Sequence, residues 1–149
     1  MRFVLILVVA VLTSVPPAFA GNQDKVLGAQ ELAAMAAKAK QATPRERCYL
    51  YAKLVRAMTE VAGRQLDNGD VSDASASLKT VQDYTSKIHV DLTDHSKKLK
   101  DAQIMMRRTA FRLKELMMSG GLSEQPVLQA TLKQLNQVQS QMMLAVFQK

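Results

Sequence analysis

Residues 74–116, ASASLKTVQDYTSKIHVDLTDHSKKLKDAQIMMRRTAFRLKEL, carry the clearest architectural pattern in this chain. Within them Leu78, Val81, Thr85, Ile88, Leu92, His95, Leu99, Ala102, Met106, Thr109, Leu113 and Leu116 follow one another in alternating steps of three and four. That spacing puts all of them on one stripe of an α-helix, and a strict seven-residue period is the seam of coiled-coil-like packing. Neither glycine nor proline interrupts the run. A single helix of about 47 residues, roughly 70 Å long at 1.5 Å per residue, is therefore the simplest expectation. The alternative is a break near Asp91-Leu92-Thr93-Asp94, where short polar side chains offer caps for a new helix.

Outward from this stretch the pattern stays helical. Downstream, Ser119-Gly120-Gly121 reads as a stop and Ser123 as the cap of a last helix carrying Leu128, Leu132, Leu135, Met142 and Val146 on its buried stripe. Upstream, Thr43-Pro44-Arg45-Glu46 is a start signal: threonine caps, proline fits the first helical position, and glutamate three residues on can bond back to the cap. The stripe Tyr51, Leu54, Met58, Val61, continued by Leu66, then runs to the stop at Asn68-Gly69. A shorter alanine-rich helix, about residues 28 to 41, precedes it within a segment 21–43 that has little to bury. The connections at 68–71 and 119–123 are short, which makes the helices flanking each one antiparallel neighbours. Across Ala62, Leu66, Gly69, Ala74 and Leu78 the spacing resembles the inner part of a tetratricopeptide repeat, in which small residues let two helices approach closely. It occurs once, and the aromatic and proline landmarks of that repeat are missing, so the resemblance implies only a helical hairpin.

The first twenty residues have the order of a secretory signal peptide. Met1-Arg2 supplies the cationic start, Phe3 to Leu12 the apolar core, Pro16-Pro17 a helix break, and Ala18-Phe19-Ala20 a small-x-small cleavage site. The apolar run is shorter than the roughly 20 residues a bilayer span needs. A mature chain starting near Gly21 and residing in the periplasm or outside the cell is expected, as a single helical domain over 21–149 without a transmembrane segment. This overall build is similar to small exported all-helical bacterial proteins of unknown function, a resemblance that brings no catalytic residues with it. Of the 20 cations only Arg2 leaves with the leader, so 19 face 13 acids. Outside the cytoplasm such a positive surface meets anionic lipid or phosphate-rich envelope polymer rather than nucleic acid, and it also keeps a small protein soluble. The single cysteine, Cys48, has no intramolecular partner. It is either buried and inert or bridges two chains.

Little in the chain suggests catalysis. His89 and His95, the only histidines, are six residues apart and on one helix would face different ways, so they cannot share an ion. Asp67, Asp70 and Asp73 cluster at a turn and read as turn formers with favourable charges at a helix start. Haem-attachment, phosphate-loop and carboxylate-metal motifs are all missing. Methionine is the one unusual theme, in the pairs Met105-Met106, Met117-Met118 and Met142-Met143. Thioethers bind Cu(I), and Met106 and Met142 fall on facing seams, so they are the candidate metal ligands; as flexible core fillers they have a simpler role. No cofactor is expected.

One feature asks for a partner. Opposite the seam, Ile104, Phe111 and Met118 recur every seven residues, with Lys100, Arg107 and Lys114 along one side and Asp101, Arg108 and Glu115 along the other. A helix apolar on two sides is usually covered on two sides. The cover is helix 1 or helix 2 of the same chain, a partner protein, a second copy, or an anionic membrane surface. The sequence thus predicts an all-α protein, an elongated antiparallel hairpin or bundle of about four helices built on one long central helix. Its expected role is a protein-interaction or scaffold module of the cell envelope acting by binding, with copper binding or polyanion binding as alternatives.

Overall fold

A computed structural model describes residues 26–147 of the chain; the leader read from residues 1–20 lies outside the described residues. The described residues form five α-helices and no strand: α1 (Ala29–Gln41), α2 (Pro44–Asp67), α3 (Val71–Ser86), α4 (Lys97–Ser119) and α5 (Gln125–Phe147). None of these helices is long and apolar enough to cross a membrane.

The start of α2 forms where its sequence places it, although Glu46 turns its carboxylate to Lys98 instead of bonding back to the Thr43 amide. Thr43 is the N-cap, its Oγ1 accepting from the Glu46 amide at 3.5 Å, and Pro44 takes the first helical position. At the other end Asn68 caps and Gly69 turns the chain with a φ of 81°, a left-handed conformation glycine adopts without steric cost. α3 then returns along α2. Tyr51 and Tyr84 bring their rings to 6.0 Å, and Ser77 donates to the Gln65 side chain at 2.7 Å. Ala62 and Ala74 are fully buried.

The long central helix does not form. α3 ends at Ser86, and α4 begins only after ten intervening residues, behind Ser96, whose hydroxyl accepts from the Leu99 amide at 3.2 Å. The cause lies in short polar side chains that offer the backbone partners outside a helix. Asp91 Oδ1 accepts from the Thr93 amide at 2.9 Å and from its hydroxyl at 2.7 Å, and Asp94 Oδ1 accepts from the Ser96 amide at 2.9 Å. Two seam positions consequently leave the core: Leu92 is 49% exposed and His95 is also exposed. On either side the seam holds, with Leu78 and Val81 buried in α3, Ile88 buried just beyond its end, and Leu99, Met106, Leu113 and Leu116 buried in α4.

The hub of the bundle is α2, which packs against α1, α3 and α4, while α5 packs against α3 and α4. α2 and α4 run parallel and in step. Glu46 meets Lys98 at 3.5 Å, and fourteen residues further along both helices Glu60 meets Arg112 at 3.4 Å. Parallel neighbours place α3 and α4 diagonally across the bundle, and residues 87–96 make that diagonal crossing beneath the start of α2. Contact on several sides explains why Leu50, Ala52 and Val55 are buried although they lie off the expected stripe of α2, on which Met58, Val61 and Leu66 are only half-buried. At the last connection, Gly120 ends α4 with its amide bonded to the Leu116 carbonyl at 2.7 Å. Ser123 does not cap α5; its hydroxyl is turned to the Glu124 carboxylate, and Gln125 Nε2 reaches back to the Met117 carbonyl at 2.6 Å.

Candidate interaction surface

α4 packs its inner face, Leu99, Ala102, Met106, Thr109, Leu113 and Leu116, into the bundle. A helix turns 100° per residue, so the line directly opposite that face is Ile104, Phe111 and Met118. They are 48%, 53% and 89% exposed. Neither α1 nor α2 covers them, which corrects the expectation that one of these helices would close over the line. The reason is position: α1 packs on α2, and α2 meets α4 along the flank that carries Arg112.

The charges on either side of the line are arranged asymmetrically. Lys100, Arg107 and Lys114 are exposed along one flank and take part in no ion pair among the described residues. Arg107 and Lys114 instead stand against the Phe111 ring, the guanidinium carbon 5.9 Å and Nζ 5.6 Å from its centroid. On the other flank both acids are engaged, Asp101 by Lys97 at 3.1 Å and Glu115 by Arg112 at 3.4 Å. Arg108, on the same flank, makes no ion pair among the described residues. Across its length α4 carries seven Lys or Arg against these two acids, so most of the chain's positive excess belongs to this one helix.

A second group of exposed apolar residues ends α5: Met143 at 43%, Leu144 at 54% and Phe147 at 70%. Sequence reading missed it because residues 142–147 form one unbroken apolar run in which buried Met142 and Ala145 hide the period.

The remaining candidates are placed as follows. Met106 and Met142 are both fully buried in the hydrophobic core among aliphatic side chains, where a thioether acts as a packing element. His89 and His95 both fall in the crossing segment, outside any helix, so the helical argument that separated them does not apply. Cys48 is buried at 6% exposure beneath that segment and shares a cavity with Arg45, His89 and Asp94. Burial first, and the negative charge of Asp94 second, push its thiol up to about 11, the opposite of the depressed value that activates a nucleophile. Asp94 itself is engaged with Arg45 at 3.2 Å. Among the described residues no three His, Cys, Asp or Glu side chains converge as a metal site. A comparison of the chain with known protein families, curated proteins and solved structures finds no match.

Proposed function

We propose that this chain is an exported, non-enzymatic binding module of the cell envelope, and that it holds a negatively charged partner on the outer face of α4. The observation that supports this reading is the exposed row Ile104, Phe111 and Met118 bordered by cations that lack ion-pair partners within the described residues. Apolar side chains in a row with a charged border are the composition of an association surface, since scattered exposed apolar residues carry no such order. The leader-like order of residues 1–20 supports the exported part of this reading, and the lack of catalytic motifs in the sequence supports the choice of binding over catalysis.

The test is retention on washed cell-envelope fragments. The wild-type chain sediments with them, and Phe111→Glu stays in the supernatant, because a carboxylate placed in an association surface costs free energy only when the surface is desolvated. Circular dichroism should show the variant fully folded, since Phe111 is half exposed. Equal retention of both proteins refutes the assignment of this face.

A further inference from the structure

The width of the apolar row and the sign of its border identify what covers it. A partner helix lying along α4 needs two apolar positions in each seven residues, the a and d of a coiled coil, to bury a seam. Here there is one. The places three and four residues before Phe111 are Arg108 and Arg107, and those before Met118 are Glu115 and Lys114. Helix-on-helix docking would desolvate these charges against the partner. A second copy of the chain is opposed for a different reason: paired antiparallel, this face sets Lys100, Arg107 and Lys114 against the same three cations, and paired parallel it offers them only Asp101 and Glu115, which Lys97 and Arg112 already hold.

A bilayer surface meets both conditions. Its acyl boundary accepts a single row of apolar side chains, and its headgroups supply anions for Lys100, Arg107 and Lys114 on one side of that row and for Arg108 on the other, where Asp101 and Glu115 are already paired with Lys97 and Arg112. The row runs along the helix axis for about 21 Å, at 1.5 Å per residue from residue 104 to 118, so it presents a line parallel to a surface. Long cationic side chains beside an inserted ring can keep their charges at phosphate level while their stems follow the ring inward. Arg107 and Lys114 already stand over the Phe111 ring, one from the turn before it and one from the turn after.

We infer that the occupant of the α4 face is the surface of an anionic phospholipid bilayer. α4 lies in the plane of the membrane, with Ile104, Phe111 and Met118 in the acyl boundary and Lys100, Arg107, Arg108 and Lys114 on headgroup phosphates. This rests on the reading of that face as the binding surface. It adds the chemistry of the partner.

The experiment uses cosedimentation with protein-free vesicles, either pure phosphatidylcholine or containing about one third phosphatidylglycerol, at low and high salt. The wild-type chain should bind the anionic vesicles only and leave them as salt rises. Lys100→Gln with Lys114→Gln keeps the apolar row and should weaken binding about 25-fold, roughly fivefold for each cation removed. Phe111→Ser keeps every charge and should weaken it about tenfold. Lys79→Gln, on α3, should change little. Circular dichroism on each variant confirms that it is folded. Failure of the wild-type chain to bind anionic vesicles, equal binding to neutral ones, or full binding by Phe111→Ser overturns the inference. If vesicles fail while envelope fragments still retain the wild type and release Phe111→Glu, the lipid assignment falls and the surface belongs to an acidic protein. Loss of envelope retention altogether overturns both.

Discussion

Arg45 in the first turn of α2 places its Nε 3.2 Å from Oδ1 of Asp94, near the end of the segment that crosses from α3 to α4. Two elements that are neighbours in space but nearly fifty residues apart in sequence are tied there by one ion pair. Asp94 also accepts from the amide and hydroxyl of Ser96, the residue that caps α4, at 2.9 and 3.1 Å. The same carboxylate therefore ends one irregular segment and orients the start of the next helix.

Replacing that carboxylate should be felt at both places. Asp94 is 6% exposed, so Asp94→Ala leaves the Ser96 amide without its partner and should cost about 1 to 3 kcal/mol by chemical denaturation. Arg45 is 64% exposed on its side chain and stays solvated, which keeps the loss below that of a fully buried pair. Asp94→Asn retains an acceptor for Ser96 and should recover part of the loss. Equal stability of all three proteins would show that the crossing segment is held by something else.

A proline scan separates the observed break from a continuous helix. Lys97 is the first helical residue of α4, and Ser96 before it is extended at φ −68° and ψ 155°, the conformation that a residue preceding proline prefers. Lys97→Pro should then change stability by no more than about 0.5 kcal/mol, apart from an exposed pair with Asp101 worth little. Arg108→Pro, in the helix interior, should cost about 3 kcal/mol or more. If Lys97→Pro proved as damaging as Arg108→Pro, α4 would have to begin upstream.

The heptad seam was legible because each half of it really is buried, from Leu78 to Ile88 and from Leu99 to Leu116. What periodicity does not weigh is the competition between a helix and local side-chain hydrogen bonds. Leu92 and His95 fit the period and yet lie outside, because Asp91, Asp94 and Ser96 satisfy the backbone in another way. The centrality of α2 was hidden for a related reason. A single stripe is expected of a helix with one covered face, whereas Leu50, Ala52 and Val55 are buried by helices on other sides. Ile104, Phe111 and Met118 could be read as a row from sequence. Whether that row was covered depended on the direction in which the Ala42-Thr43 turn sets α1 against α2, which no local pattern encodes.

The turn between α2 and α3 offers a test of backbone conformation alone. A Cβ built on Gly69 meets nothing within 4 Å, so the only obstacle to a side chain is the positive φ. Gly69→Ala should destabilise by about 1 to 2 kcal/mol, and Gly69→Asn by less, because asparagine tolerates the left-handed region. Urea midpoints of the two variants measure the difference. A neutral Gly69→Ala would mean that the hairpin closes with an ordinary backbone.

Cys48 links burial to a pH dependence whose sign is fixed. Its thiol is raised to about 11 in the folded chain, above the ordinary value near 9.0 that it regains on unfolding. Below pH 9 the thiol is protonated in both states and its contribution to stability is fully present. Between about pH 9 and 11 the unfolded chain releases the proton while the folded chain keeps it, so the unfolded state binds fewer protons and stability falls as pH rises. Cys48→Ala removes this titration at the cost of a small cavity. Its melting temperature should start below that of the wild type at pH 8, and the gap should narrow toward pH 11, with lysines and tyrosines contributing equally to both curves. A native-state thiol reagent offers an independent reading: modification should be slow at pH 8 and become rapid in denaturant, because 6% exposure leaves little access and protonation little thiolate. Parallel melting curves across that range, together with rapid native labelling, would place Cys48 at the surface and return it to the role of a bridging or reactive thiol.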